Sequence, residues 1–274
     1  IDSKGLLWFV NNHWTIPSLY CYQFSTDNIK AFTTFNNEDG TIVNVGSVRT
    51  IAEDKNGDIW IGTNVGPLLL EYTEITKESP TFIQVKIPRN DGTNYADYLL
   101  NNIDITNIAI DGANRKWFGT KNYGIYLISN NNLEQIQHYT KENSPLLSNE
   151  IESIAIDEEK GIVYIGTPNG LCSITTDATI ANTKVDKNNV WAYPNPVRQE
   201  YSGLITITGL SFGSDIKIVS TNGSLVNQGR SNGGTYTWDG CDLKGRKVSS
   251  GIYMVETASN QGEKETVCKI AIIR

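Results

Sequence analysis

The chain has 274 residues, of which 39% are hydrophobic and 19% charged, so it should fold into about two domains and is not a disordered, collagen-like or coiled-coil chain. No apolar run approaches the roughly 20 residues that a membrane helix needs, so the sequence predicts no transmembrane segment. The net charge is −7, and residues 1–183 carry 12 basic against 22 acidic side chains, which disfavours nucleic acid as a partner.

Four segments of the first two thirds of the chain share one pattern. In each, an aspartate precedes a short polar turn, an aromatic residue stands in the next apolar stretch, and Gly-Thr closes that stretch in three of the four. The aromatic residues are 52, 57 and 47 positions apart, and a second glycine follows in the last three segments. The aromatic residues are Trp8, Trp60, Trp117 and Tyr164, and the second glycines are Gly66, Gly124 and Gly170.

Each copy of this repeat predicts short antiparallel strands joined by tight turns. Asp followed by Gly or Asn favours a turn, because Gly adopts positive φ at no cost and Asp bonds its own backbone. Alternating apolar residues indicate half-buried strands. Small sheets that repeat about every 45–55 residues are β-propeller blades. The sequence therefore predicts an all-β protein, with a partial propeller of about four blades over residues 1–176.

The pattern D-x-x-G-x-x-W-[IF]-G-T, followed by a glycine and a strand, resembles the two-component-regulator propeller repeat. This resemblance implies an extracytoplasmic binding domain, of the kind found in sensor kinases and in some secreted surface proteins. The first copy begins inside the motif at Ile1, and closed propellers commonly have about seven blades. We therefore expect further blades upstream of this chain.

Aspartates of the repeat, such as Asp54, are predicted to form turns rather than to bind calcium, because an EF-hand loop has glycine at its sixth position and not its fourth. The chain has two histidines and no Cys-x-x-Cys pair. We therefore expect no metal, no cofactor and no enzymatic activity. The alternative is a carbohydrate-active enzyme whose catalytic acids are scattered over loops.

Aromatic residues in predicted loops, together with an amide beside one of them, are the candidates for ligand binding. They are His13 and Trp14 in the first copy, Asn122 and Tyr123 at the same place in the third copy, and Tyr95 and Tyr98 in an inserted loop before the third copy. Equivalent loops of a propeller converge on one face, and loops carry function while sheets supply rigidity. Rings beside amides suit a neutral glycan or a protein loop. Packing of these loops under the propeller is the alternative.

A polar stretch at 177–189 is predicted to be a linker. Residues 190–274 then contain about seven short alternating segments with turn signals between them, which predicts an immunoglobulin-like sandwich. Cys241 and Cys268 share this second domain, and the sequence leaves open whether they form a disulfide or stay as thiols.

The motifs of this second domain resemble, in sequence and order, the C-terminal sorting domain of type IX secretion substrates. They are a Y-P-N-P opening, a W-D-G turn, an S-G-[IV]-Y strand and a K-I-A-I-I-R ending. The predicted sorting-signal residues are Tyr193, Pro194, Asn195, Pro196, Trp238, Asp239, Gly240, Gly251, Tyr253, Lys269 and Arg274. The resemblance implies export through the periplasm, contact with type IX secretion components, and either display on the outer membrane or release.

Propeller repeats joined to such a domain resemble surface components of the type IX attachment machinery, so we expect a binding or assembly module outside the cytoplasm. A glycan or lipopolysaccharide is the expected ligand. Residues 184–274 carry 11 basic against 8 acidic side chains, so anionic lipopolysaccharide would contact them or blades outside this chain. The alternatives are the glycan-sensing propeller of a two-component receptor and a carbohydrate-active propeller enzyme exported by type IX secretion.

Overall fold

A computed structural model describes residues 1–11, 16–182, 188–258 and 264–274 of the chain. These residues form 24 β-strands and one short 3₁₀ helix, Tyr72–Glu74, which confirms the all-β prediction. None of their helical segments has the length and apolar character needed to cross a membrane. The chain divides into two compact units. The repeat unit comprises Ile1–Ile110, Asn114–Asp157 and Ile162–Ile174, and the C-terminal unit comprises Asp111–Ala113, Glu158–Gly161 and Thr175–Arg274.

The repeat unit contains four antiparallel sheets of three or four strands, in which consecutive strands pair, and two short ribbons. The first sheet has β1 (Leu6–Asn11), β2 (Ser18–Gln23) and β3 (Asn28–Phe32), and a ribbon of β4 (Phe35–Asn36) and β5 (Ile42–Val43) follows. The second sheet has β6 (Val48–Glu53), β7 (Ile59–Thr63) and β8 (Gly66–Leu70), followed by a ribbon of β9 (Lys86–Pro88) and β10 (Ala96–Tyr98). The third sheet has β11 (Ile105–Ile110), β12 (Lys116–Thr120), β13 (Ile125–Ile128) and β14 (Gln135–Tyr139). The fourth has β15 (Ser153–Asp157), β16 (Ile162–Thr167) and β17 (Gly170–Thr175).

The repeated aspartate and tryptophan hold each other across the first hairpin of a sheet. The carboxylate of Asp54 accepts the backbone N–H of Asn56 at 2.8 Å and the indole Nε1–H of Trp60 at 3.2 Å. Asp2 does the same, accepting the N–H of Leu6 at 2.8 Å and the indole N–H of Trp8 at 2.9 Å. The turn needs a carboxylate, and a tryptophan six positions later satisfies its second oxygen. This local bonding explains why the two residue types recur at one spacing.

The core of the repeat unit lies between successive sheets. Trp60, on β7, is fully buried against the third sheet, where its ring meets Phe118 at 5.5 Å. Trp117, at the same position of β12, is fully buried in the cluster that includes Val163 of the fourth sheet. The repeated aromatic residue is therefore the group that one sheet presents to the next. Tyr164 has this position on β16, but no further sheet of the repeat unit follows β17 and its side chain is 40% exposed.

A repeated glycine keeps this packing tight. A Cβ atom on Gly62 would lie 2.9 Å from Cγ2 of Ile105 in the third sheet, and one on Gly119 would lie 2.7 Å from Cγ2 of Ile151. Any larger residue would push the sheets apart, so Gly-Thr recurs at the end of the second strand.

The C-terminal unit packs two antiparallel sheets on a single core. One sheet has the order β18-β19-β22 and the other β21-β20-β23-β24. The strands are β18 (Trp191–Tyr193), β19 (Ile205–Thr208), β20 (Asp215–Ser220), β21 (Leu225–Arg230), β22 (Thr235–Trp238), β23 (Gly251–Ala258) and β24 (Lys264–Ile272). Ile207 and Trp238 of the first sheet meet Ile218, Val255 and Ile270 of the second, and each is at most 1% exposed.

Part of the stretch predicted as a linker is bonded to this unit. The backbone oxygen of Thr179 accepts the N–H of Gly234 at 2.9 Å, and the N–H of Asn182 donates to the oxygen of Leu210 at 3.0 Å. Ala178 is fully buried. Residues 177–182 therefore have defined positions, whereas 183–187 lie outside the described residues.

All four cysteines are free thiols in the structure. Burial raises the pKa of Cys268 to about 11, and burial also raises the pKa of Cys241. The raised pKa makes both thiols harder to ionise than a free cysteine, and the structure has them as thiols rather than as a disulfide.

Candidate functional site

The predicted loop site on the repeat unit is described in part. His13 and Trp14 lie outside the described residues. Asn122 and Tyr123 form the turn between β12 and β13, where the Tyr123 ring is 53% exposed. The N–H of Tyr123 donates to Oγ1 of Thr120 at 2.8 Å, and its carbonyl oxygen accepts from Nε2 of His138 at 2.6 Å. The backbone is thus held on both sides while the ring faces solvent.

The threonine of the repeated Gly-Thr motif closes this turn in three sheets. The hydroxyls of Thr63, Thr120 and Thr167 donate to the carbonyl oxygens of the second glycines at 2.6, 2.8 and 2.9 Å. The recurrence of Gly-Thr-x-x-(x)-Gly was the available signal for this role. The turns are consequently rigid supports for whatever side chain occupies their tips.

The inserted loop divides its two tyrosines between different environments. Tyr95 is 69% exposed, with the guanidinium carbon of Arg89 6.0 Å from its ring centre. The hydroxyl of Tyr98 donates to Oδ2 of Asp39 at 2.9 Å, and Lys86 donates to the other oxygen of Asp39 at 2.7 Å. The hydrogen bond from Lys86 lowers the pKa of Asp39, and the bond to Asp39 raises the pKa of Tyr98. Tyr98 therefore ties two loops together, and Tyr95 is the freer of the two.

The role of these loop residues in ligand binding stays a prediction. No hydrogen bond or ring contact in the described part of the chain links Tyr123 to Tyr95 or Tyr98. Nor do the described residues contain a group of three His, Cys, Asp or Glu side chains that could hold a metal.

The sorting-signal residues, in contrast, converge on the last strand. The side-chain amide of Asn195 donates to the backbone oxygen of Lys269 at 2.8 Å, and its oxygen accepts the N–H of Ala271 at 3.0 Å. Two residues further along the chain, the backbone N–H of Val197 donates to the backbone oxygen of Ala271 at 2.8 Å. The side chain of Asn195 thus makes the pair of hydrogen bonds that a neighbouring strand would make along the edge of β24.

The end of β24 is held by two other motifs. The N–H of Arg274 donates to Oγ of Ser250 at 2.9 Å, and its guanidinium donates to the oxygen of Gly240 at 3.4 Å. The W-D-G turn is itself fixed by the carboxylate of Asp239, which accepts the N–H of Cys241 at 2.9 Å. The Y-P-N-P, W-D-G and S-G-I-Y segments therefore all contact the final six residues of the chain.

The remaining signal residues fall into a buried and an exposed group. Trp238 and Tyr253 are buried with their rings in a T-shaped contact at 5.6 Å, and the hydroxyl of Tyr253 donates to the oxygen of Ser249 at 2.9 Å. The exposed or partly exposed members are Tyr193, Pro194, Pro196, Gly251 and Lys269. The peptide bonds preceding both prolines are cis.

Two family models match the sequence. Residues 43–65 match the two component regulator propeller, and residues 191–273 match the secretion system C-terminal sorting domain. Both matches fall where the motifs predicted them. No curated protein sequence matches the chain.

The fold is similar to several solved bacterial structures. One is PorZ, described as an essential bacterial surface component of the type-IX secretion system of Porphyromonas gingivalis; the TM-score is 0.67 at 28% sequence identity, over 99% of this chain. This chain spans 38% of the length of that PorZ chain. More distant are the extracellular domains assigned to a one component system (TM-score 0.41, 15% identity, 100% of this chain and 35% of that one) and a hybrid two component system (0.36, 17%, 100% and 49%), both of B. thetaiotaomicron.

These findings confirm both resemblances noted in the sequence. The chain carries a two-component-regulator propeller repeat followed by a secretion-system C-terminal sorting domain, and its structure resembles PorZ.

Proposed function

We propose that this chain belongs to a PorZ-like, non-enzymatic binding or assembly module of the type IX secretion surface machinery, displayed outside the outer membrane. The observation that carries the proposal is the combination of the sorting-domain match at 191–273 with a likeness to PorZ over 99% of the chain. The convergence of three motif segments on the last six residues supports it, because a sorting signal read at the C-terminus needs that end to be well ordered.

In this proposal the four sheets of the repeat unit are about four blades of a larger propeller spanning residues 1–176. Residues 177–189 join them to an immunoglobulin-like sorting domain at 190–274. The packing of one sheet on the next through Trp60 and Trp117 supports the blade assignment.

A non-enzymatic role is supported by how the acidic residues are used. Asp54 bonds its own turn, Asp104 forms a bidentate pair with Arg49 at 2.5 and 2.8 Å, and Asp97 is paired with Arg89. These carboxylates stabilise loops and turns. The propeller-repeat match also fits the rival role of a receptor's sensing domain, but such a role does not explain the sorting domain.

The test of the proposal is export of the full-length protein in a bacterium with type IX secretion. Deleting residues 269–274 removes the partners of Asn195, Ser250 and Gly240, so we expect the truncated protein to stay in the periplasm. The matched control is Lys244→Ala, because Lys244 is not one of the predicted sorting-signal residues, its side chain is exposed and its bond to Asp242 uses only the backbone N–H. Protease accessibility on intact cells measures display.

Undiminished surface display of the truncated protein would contradict the sorting role. Incubation of the exported protein with cell-surface glycans separates the remaining alternatives. Release of a shortened sugar would assign the protein to the carbohydrate-active enzymes.

A further inference from the structure

The sheet β18-β19-β22 has one face in the core and one face that carries only aromatic and threonine side chains. The core face includes Ala192, Ile205 and Ile207, each at most 7% exposed. On the opposite face, Trp191 is paired in register with Thr208, and Tyr193 with Thr206. Strand β22, which pairs with β19, continues both of these rows of side chains. It adds Thr235 beside Thr208 and Thr237 beside Thr206.

The two aromatic rings of this face are exposed and already ordered. Trp191 is 56% exposed and Tyr193 is 46% exposed, at positions of the sheet where polar side chains are the usual choice. Their ring centres are 5.0 Å apart and their planes are tilted by 37°. This mutual contact restricts the rotamers of both rings, so a ligand that stacks on them loses little side-chain entropy.

The hydroxyl groups beside the rings have free bonding capacity. In the described part of the chain, the side chains of Thr206, Thr208, Thr237, Trp191 and Tyr193 make no hydrogen bond to protein. Only the hydroxyl of Thr235, at the far end of one row, is bonded, to the backbone oxygens of Asp177 and Asn232. A hydroxyl both donates and accepts, so this row matches a ligand that is itself rich in hydroxyls.

From these features we propose that Trp191, Tyr193, Thr206, Thr208 and Thr237 form a binding face for a neutral saccharide. A sugar ring would place its C–H face on the indole or phenol ring, and its hydroxyls would bond with the threonine hydroxyls on the neighbouring strands. Neighbouring strands are about 4.8 Å apart, close to the width of one sugar ring. None of these five side chains is charged, so the face has no counter-ion for a phosphate or carboxylate. This site belongs to the C-terminal unit alone and does not depend on the proposed function.

The test titrates the full-length protein with neutral oligosaccharides: maltohexaose, cellohexaose, mannohexaose and chitohexaose. We expect at least one of them to shift the fluorescence of Trp191 and to bind with a measurable affinity. Trp191→Ala should weaken binding at least about tenfold, equivalent to ~1.4 kcal/mol. Trp191→Phe, which keeps an aromatic ring, should retain most of it. The double variant Thr206→Val/Thr208→Val removes two hydroxyls but keeps the β-branched shape, and should weaken binding about threefold or more.

Phe212→Ala is the matched control, because Phe212 is a 53% exposed aromatic residue of the same unit outside this face. It should bind like the parent, and all variants should melt within a few degrees of the parent. The proposal fails if no oligosaccharide of the panel binds or if Trp191→Ala binds equally well. It also fails if the variants change only self-association or the binding of an extended peptide to the edge of β18. Surface display of Trp191→Ala should be unchanged, so this outcome is independent of the export test.

Discussion

The repeat unit and the C-terminal unit use their motif residues over different distances along the chain. In the repeat unit, the turn hydrogen bonds of Asp54 and Asp2 reach no more than six residues along the chain, and Asp54 also pairs with Lys116 of the third sheet at 3.4 Å. In the C-terminal unit, Asn195 bonds residues 74 and 76 positions away. The turn hydrogen bonds of the repeat unit stabilise one hairpin each and recur with the sheets. The long-range motifs bond the last residues of the chain to several distant segments of the C-terminal unit. Replacing one of these residues should therefore destabilise more of its unit than replacing a turn residue of the repeat unit does.

The largest effect on stability should come from the buried aromatic residues between the sheets of the repeat unit. Trp60→Ala and Trp117→Ala should each lower the free energy of unfolding by about 3–5 kcal/mol, because each leaves a large cavity between two sheets. Tyr164→Ala, at the same position of the fourth sheet, is the internal control and should have a much smaller effect, since that side chain is 40% exposed. Denaturant unfolding measures all three. Equal losses for Tyr164 and Trp60 would show that burial between sheets is not the cause.

This comparison also separates what could be predicted from the sequence from what could not. The spacing of Trp8, Trp60, Trp117 and Tyr164, together with the turn residues and the alternation of apolar residues, predicted the sheets of the repeat unit, because turn chemistry and alternation act within a few residues. The exposure of Tyr164 was not predictable in this way. It depends on whether another sheet stands beside β16, and a single repeat contains no information about its neighbour.

The candidate sites show the same division. The Y-P-N-P and terminal motifs could be recognised, but the bond between Asn195 and β24 joins segments whose contact only the folded chain reveals. Tyr98 was predicted as a ligand-binding residue because it is aromatic and lies in a loop. Its hydroxyl is engaged by Asp39, which lies 59 residues away. Trp191 was passed over, because its exposure depends on which face of its sheet is buried.

An intermediate effect is expected from the side chain that borders the last strand. Asn195→Ala removes two hydrogen bonds and leaves the N–H of Ala271 and the oxygen of Lys269 without this partner, which should cost about 1–3 kcal/mol. Asn195→Asp keeps the acceptor for Ala271 but sets a carboxylate oxygen against the backbone oxygen of Lys269, and two acceptors repel each other, so it should be destabilised at least as much as Asn195→Ala. Hydrogen exchange of the Ala271 amide and the melting temperature report both changes.

The two Asn195 variants also test whether the long-range contacts act together. If they do, Asn195→Ala should accelerate exchange along β24 and reduce surface display, while the sheets of the repeat unit keep their protection. Acceleration confined to the amide of Ala271 would mean that the motif segments stabilise the end of the chain independently.

The smallest effect concerns a local pair in the C-terminal unit, which resembles the turn aspartates of the repeat unit. The carboxylate of Asp242 accepts hydrogen bonds from the guanidinium of Arg246 at 2.7 Å and from the backbone N–H of Arg246 at 3.0 Å. These bonds lower the pKa of Asp242 from its ordinary value of 3.8 to about 2. Because the pKa is lower in the folded state, the pair contributes stability above about pH 4, and this contribution is lost as the pH falls from there to about 2.

Arg246→Ala should raise the pKa of Asp242 towards 3.8, measured by NMR titration of the carboxyl carbon. Lys244→Ala is the matched control, because only the backbone N–H of Lys244 bonds Asp242, and it should leave the pKa low. If both variants shift the pKa equally, the net charge of the turn sets the pKa of Asp242, and the hydrogen bonds from Arg246 do not. The turn of Asp242 would then be stabilised by charge, unlike the turn of Asp54 in the repeat unit, which is stabilised by hydrogen bonds to its own backbone.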